Sequence, residues 1–275
     1  MGTACRGGER GLRKLLRFIS PLHPPALPRG KDNERKNRLI KSRNAHFWIK
    51  KRKNRRMERG EKGINYMNKT GKFITFEGCD GCGKSTQLKM LNEYLTNAGI
   101  PHIFTREPGG GKISEAIREI LLSGKNMEMT DECEALLYAA SRVQHLRDRV
   151  DPALQEGKLV ICDRYVDSSL AYQGYARGLG QDFVSKINAY ALENYLPDVT
   201  IFIDLTPEAA FKRKHGADQN DRLELAGMEF HKRVYQGFKR LAEENPNRFV
   251  SINGEQTPDE IFAEVLSALK AKGCL

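Results

Sequence analysis

Between residues 76 and 86 the chain reads FEGCDGCGKST, and two chemistries overlap in those letters. Cys79 and Cys82 form a C-x-x-C, the spacing of a redox dithiol or of half a zinc site. Gly78 to Ser85 also spell G-x-x-x-x-G-K-S, the pattern of a loop that wraps a nucleotide phosphate. Context favours the phosphate. A β-branched, apolar run precedes the loop, and a helix-like stretch follows it with Leu88, Leu91 and Leu95 on one face. Gly78, Gly81 and Gly83 let the backbone turn its N–H groups toward an anion, and the helix N-terminus adds partial positive charge. Lys84 is then expected to reach the β- and γ-phosphates and Ser85 to ligate Mg²⁺, while Cys79, Asp80, Cys82 and Thr86 complete the ATP-binding loop. On this reading the two cysteines fill variable loop positions, and oxidising them would distort the loop.

A second constellation lies in LVICDRY, residues 159–165. Asp163 falls at the carboxyl end of a strand, where α/β sheets bind ligands and where an acid can hold Mg²⁺ directly or through water. Many hydrolysing ATPases place a Glu next to activate water. Arg164 stands there instead, with a planar fork that suits phosphate, which favours transfer to a phosphorylated acceptor over hydrolysis. No N-K-x-D guanine reader is present, and LLSGKN (121–126) resembles a transporter signature only loosely.

The elements that must position these residues alternate in type. Short apolar runs at 72–76, 102–105, 159–162, 199–203 and 249–252 alternate with helix-like stretches starting near Lys84, Ile113, Asp131, Gln181, Pro207, Leu223 and Pro258. That order predicts an α/β fold, a parallel sheet flanked by helices on both faces. The six cysteines and six histidines show no further zinc-ligand spacing, and no apolar run is long enough to span a bilayer. Reduced thiols and a cytoplasmic location are the expectation.

The formal net charge of +11 is unevenly distributed. Residues 1–66 hold 20 Lys and Arg against 5 Asp and Glu, whereas 67–275 hold 26 against 30, net −4. The first segment, rich in Arg, Lys, Gly, Pro and Asn, lacks a sustained apolar period and is expected to be disordered. An organelle-targeting arm, a nucleic-acid tail and sequence read from an upstream start codon all fit it. The last is favoured, because MNKTGKFITFEG opens a complete domain at Met67.

FITFEGCDGCGKST, TREPGG (105–110), LLYAASRVQHL (136–146), DRYVDSSLAYQGYARG (163–178) and DQNDRLE (218–224) stand in the order and spacing of bacterial thymidylate kinases, over essentially all of 67–275. The resemblance implies a P-loop nucleoside monophosphate kinase fold: five parallel strands, a mobile lid and a homodimer that moves the γ-phosphoryl group of ATP to dTMP. Asp80 would help place the sugar and acceptor phosphate near ATP. Glu107 and Pro108 would shape the dTMP pocket, and Arg118 and Arg164 would hold the acceptor phosphate. Thymine would stack on Tyr138, where the family often has Phe, and take a hydrogen bond from Arg142. Ser169 and Gln173 resemble the remaining base contacts, and Tyr172 would press on the sugar's 2′ carbon. FKRKHGADQNDRLE (211–224) looks like the lid. Because Cys79–Cys82 contains no arginine, the catalytic cation is expected there: Arg213 or Arg222, with Lys214 a further candidate and Arg222 also expected against ATP. Competing readings are a P-loop kinase for another base and, ranked far lower, a nucleic-acid-binding P-loop protein using the basic arm.

Overall fold

The computed structural model describes residues 70–214 and 221–275. The basic segment 1–66, the Met67 start and residues 215–220 of the expected lid lie outside the described residues. Each of the five apolar runs forms a strand: β1 (Lys72–Glu77), β2 (His102–Arg106), β3 (Leu159–Asp163), β4 (Val199–Asp204) and β5 (Phe249–Asn253). They pair in the order β2-β3-β1-β4-β5, every neighbour parallel. Parallel neighbours need long crossovers, and helices supply them: α1 (Lys84–Asn97), α2 (Lys112–Leu122), α3 (Asp131–His145), α4 (Asp151–Gln155), α5 (Val166–Ser169), α6 (Gln181–Ile187), α7 (Ala189–Asn194), α8 (Pro207–Lys214), α9 (Met228–Glu244) and α10 (Pro258–Ala271).

Strand alternation divides the core between the two sheet faces. Ile74, Phe76, Ile161, Ile201 and Ile203 pack with Leu91 and Leu95 of α1 and with Ile261, Val265 and Leu269 of α10. On the other side Phe73, Val160 and Cys162 meet Leu146, Val150 and Tyr165, while Phe202 meets Phe238 of α9. Leu91 and Leu95 are fully buried, each stabilising the fold by roughly 1.5–3 kcal/mol. Their spacing fixes which face of α1 docks, and so aims the loop that precedes it.

Local sequence sets the helix ends. Thr130 caps α3 by accepting from the Cys133 N–H, and Thr257 with Glu260 forms a reciprocal capping box on α10. Two departures from the expected pattern have local causes. The helix expected near Leu223 begins at Met228, because Gly227, at φ 86°, separates it from a 3₁₀ turn over Glu224–Ala226. Helix also covers residues 146–155 and 166–176, where no separate start was expected; α3 runs through a π-helical turn at Leu146–Val150 into α4, and α5 through another at Leu170–Ala176.

Candidate active site

The phosphate loop leaves β1, next to both β3 and β4, at the carboxyl end of the sheet. Gly78, Gly81 and Gly83 have φ of 142°, 86° and 105°, conformations that side-chain-bearing residues rarely adopt. At Gly81 the approach is also close, since a Cβ there would lie 2.4 Å from the Ala210 carbonyl oxygen of α8. Lys84 opens α1 and bends back, its Nζ donating to the carbonyls of Gly78 and Cys79 at 3.1 Å each. Cys79 and Cys82 are not free positions. Both thiols are buried in the core beneath the loop, and burial, then the neighbouring Cys82, pushes the Cys79 thiol up to about 12.

Immediately after β3 the chain turns through Arg164 with φ 65°, a left-handed conformation that costs a non-glycine residue about 1–2 kcal/mol. Glu77, buried at the end of β1, holds the turn: its carboxylate oxygens accept from the Tyr165 N–H at 2.8 Å and the Ser168 hydroxyl at 2.6 Å. Burial, with Asp167 nearby, raises the Glu77 carboxyl to about 8 despite Arg164 and those hydrogen bonds. Arg164 then spans the site. Nη1 donates to the Gly78 carbonyl at 3.0 Å, Nη2 to Asp80 Oδ1 at 2.6 Å, and the guanidinium lies 5.4 Å from the centre of the Tyr172 ring. Burial alone would raise the Asp80 carboxyl, but Arg164, Lys84 and Lys214 outweigh it and hold that group well below the ordinary carboxylate range.

One cleft of about 460 Å³ runs from the phosphate loop to the far wall of the site. Of the residues expected from the sequence, Asp80, Gly81, Gly83, Lys84, Ser85, Thr86, Glu107, Pro108, Arg118, Tyr138, Arg142, Asp163, Arg164, Ser169, Tyr172, Gln173 and Arg213 line it. Gly78, Cys79 and Cys82 do not; their carbonyls and thiols serve the loop from beneath. Arg118 donates to the Pro108 carbonyl at 2.9 Å, tying α2 to the turn after β2, where the Glu107–Pro108 peptide is cis. Arg213 donates to the Gly254 carbonyl at 2.7 Å and Lys214 pairs with Glu224.

Arg222 departs from the expectation that it meets ATP. It is buried away from the cleft, with Nε on the Leu121 carbonyl at 3.1 Å and Nη2 on Glu134 Oε2 at 2.5 Å. Glu134, itself fully buried, also accepts from Arg177 and from Gln173, so a single carboxylate joins the return from the lid segment to the wall of the cleft. Sequence reasoning missed Glu134, although it sits one helical turn before Tyr138. It also missed Asp221, Ser168 and Arg106, which line the cleft. All three stood inside quoted motifs with no role given.

The donor set also fits a magnesium ion. Asp163 Oδ1 is buried without a hydrogen-bond partner among the described residues, and its side chain lines the same cleft as Ser85. One carboxylate and one hydroxyl leave the remaining positions to phosphate oxygens and water, as Mg²⁺ prefers.

A phosphate loop opening a helix on this sheet order, facing a guanidinium and an aromatic-walled cleft, defines a nucleoside monophosphate kinase. The thymidylate kinase family model matches residues 76–265. A thymidylate kinase of Clostridium novyi is 52% identical over 206 residues, covering 74% of this chain and 100% of that protein. One from Thermoanaerobacter is 50% identical over 200 residues, covering 73% and 98%. The crystal structure of an Ehrlichia chaffeensis thymidylate kinase superposes with a TM-score of 0.60 at 34% identity, over 73% of this chain and 98% of that one. The chain belongs to the thymidylate kinase family.

Proposed function

We propose that the protein transfers the γ-phosphoryl group of ATP to dTMP, giving dTDP and ADP, as a Mg²⁺-dependent cytoplasmic enzyme of dTTP synthesis. The observation that carries this reading is the position of Arg164, whose guanidinium bridges the phosphate loop at Gly78 and Asp80 and lies beside the Tyr172 ring. Two anionic nucleotides must meet there, and their mutual repulsion is the main electrostatic barrier.

The loop amides and Lys84 neutralise the donor, with Lys84 leaving the Gly78 and Cys79 carbonyls to do so. Arg164 and Arg118 neutralise the acceptor phosphate. Asp80, kept ionised beside Arg164, orients that guanidinium and lies where the sugar of the acceptor would end. Tyr138 and Tyr172 wall the base and sugar, and Arg142 donates to a base carbonyl. Arg213, at the end of α8, supplies positive charge from the lid side. Ser85 and Asp163 would hold Mg²⁺, which would supply positive charge against the negative charge of the phosphates.

Homodimer formation is supported by apolar side chains seven residues apart on two helices packed together: Ile113 and Ile120 of α2, Leu136 and Val143 of α3, all exposed. No helix among the described residues is long and apolar enough to cross a membrane. Coupled ADP release over a panel of nucleoside monophosphates, with and without Mg²⁺, tests the reading. Preference for dTMP is expected; preference for AMP, GMP or CMP would refute it.

A further inference from the structure

Arg142 carries five N–H donors. Four of them already have protein acceptors: Nε on Glu107 Oε2 at 2.7 Å, Nη1 on Ser169 Oγ at 3.0 Å and on Asn188 Oδ1 at 2.5 Å, and Nη2 on the Tyr165 carbonyl at 3.2 Å. The side chain is 2% exposed, yet lines the cleft. One Nη2 hydrogen is therefore left to address an acceptor, and its direction is set by whatever grips the other four.

Two of the residues behind that grip never reach the cleft. Asn188, 2% exposed at the junction of α6 and α7, donates from Nδ2 to the Val184 carbonyl at 2.9 Å, which turns its oxygen toward Arg142. His145, fully buried at the end of α3, meets Glu107 Oε1 through Nδ1 at 2.9 Å and the Thr105 hydroxyl through Nε2 at 2.7 Å. Glu107 is thus held by one oxygen so that the other faces Arg142. The TREPGG segment is built around this imidazole: Gly110 has φ 85°, and a Cβ on it would lie 2.6 Å from His145 Cδ2.

We propose that Asn188 and His145 are positioning residues for acceptor-base recognition, Asn188 directly and His145 through Glu107, both aiming the one remaining N–H of Arg142 into the cleft. This rests on the reading that Arg142 meets the base of dTMP. An N–H donor fits the carbonyl that thymine presents and mismatches the exocyclic amine that cytosine presents in its place. The pair therefore governs discrimination between bases, with no direct part in phosphoryl transfer.

The test is a double-mutant cycle on the full chain with N188L, R142M and N188L/R142M. It reads KM for dTMP, KM for ATP, kcat, and the kcat/KM ratio of dTMP over dCMP. N188L is expected to raise the dTMP KM roughly tenfold, one hydrogen bond to a charged group. It should lower the dTMP over dCMP ratio, leave the ATP KM within about twofold, and add nothing in the R142M background. His145 is read in parallel with H145L and H145N, the asparagine keeping a donor where Nδ1 stood. H145L should repeat the N188L pattern and H145N should restore most of it, so the inference stays testable should N188L fold poorly. An undiminished effect of N188L in the R142M background overturns the proposal. So does a loss spread evenly over dTMP, ATP and kcat, or no change at either position. R142M that leaves the dTMP KM untouched would instead refute the base-contact reading itself.

Discussion

Replacing Glu77 by glutamine gives the sharpest physical forecast. Burial raises this carboxyl from the model-peptide value of 4.5 to about 8, so the folded chain keeps its proton across a range in which the unfolded chain has lost it. The sign follows from proton counting. Between those two values the unfolded state binds fewer protons than the fold, so stability falls as pH rises and levels off above about 8. At ~1.4 kcal/mol per pH unit the burial costs up to about 5 kcal/mol by pH 8, and roughly 3 kcal/mol at pH 7. Glutamine is nearly isosteric and carries no titrating proton. Its oxygen still accepts from the Tyr165 N–H, and its amide can donate to Ser168. E77Q should therefore gain stability relative to the native chain as pH rises, the gap widening by roughly 2–3 kcal/mol from pH 5 to pH 7. Urea unfolding of both proteins at several pH values, at one fixed protein concentration so that any association cancels, measures that gap. Curves that run parallel with pH would show that Glu77 is ionised in the fold and would refute the reasoning.

Other substitutions test the site more coarsely. Lys84→Ala should abolish turnover with every acceptor, read by ADP release. Gly81→Ala forces a side chain into the Ala210 carbonyl in a left-handed conformation; a loss of at least ~2 kcal/mol in stability together with a raised ATP KM is expected. Arg222→Ala strips the buried Glu134 carboxylate of one partner and should cost about 3 kcal/mol in thermal or urea unfolding. Tyr172→Phe removes a buried hydroxyl that has no partner among the described residues, so melting should stay level or rise.

The sheet was legible because each strand is a short β-branched run closed by polar or glycine residues, and every expected run pairs. The phosphate loop was legible for the same reason at a finer scale, since its glycines are required by backbone angles and nothing else there satisfies them. What stayed hidden was long-range. Arg222 carries a charge that its neighbours in sequence present as solvent-facing, yet its partner Glu134 is 88 residues away. Asn188 lies in no motif, and only the packing of α6 and α7 against α3 brings its amide to Arg142. The burial of Cys79 and Cys82 was not legible either, because Asp80 between them faces the cleft while the two thiols pack beneath the loop. Residues 146–155 carry a helical period in Leu146, Val150, Ala153 and Leu154, all buried, but continue α3 without a start signal of their own, whereas in 166–176 Ser168, Ser169, Tyr172 and Gln173 line the cleft and interrupt the apolar period.

The contact between Gly81 and the Ala210 carbonyl makes one mechanical joint of two parts that the chain separates by more than a hundred residues. The wall that grips the donor's phosphates abuts the short helix carrying Arg213 and Lys214, with the Ala210 carbonyl nearest the glycine. The separation between the phosphate loop and the backbone of this helix is therefore set by direct packing, and only the reach of Arg213 and Lys214 toward the donor is left to their side chains.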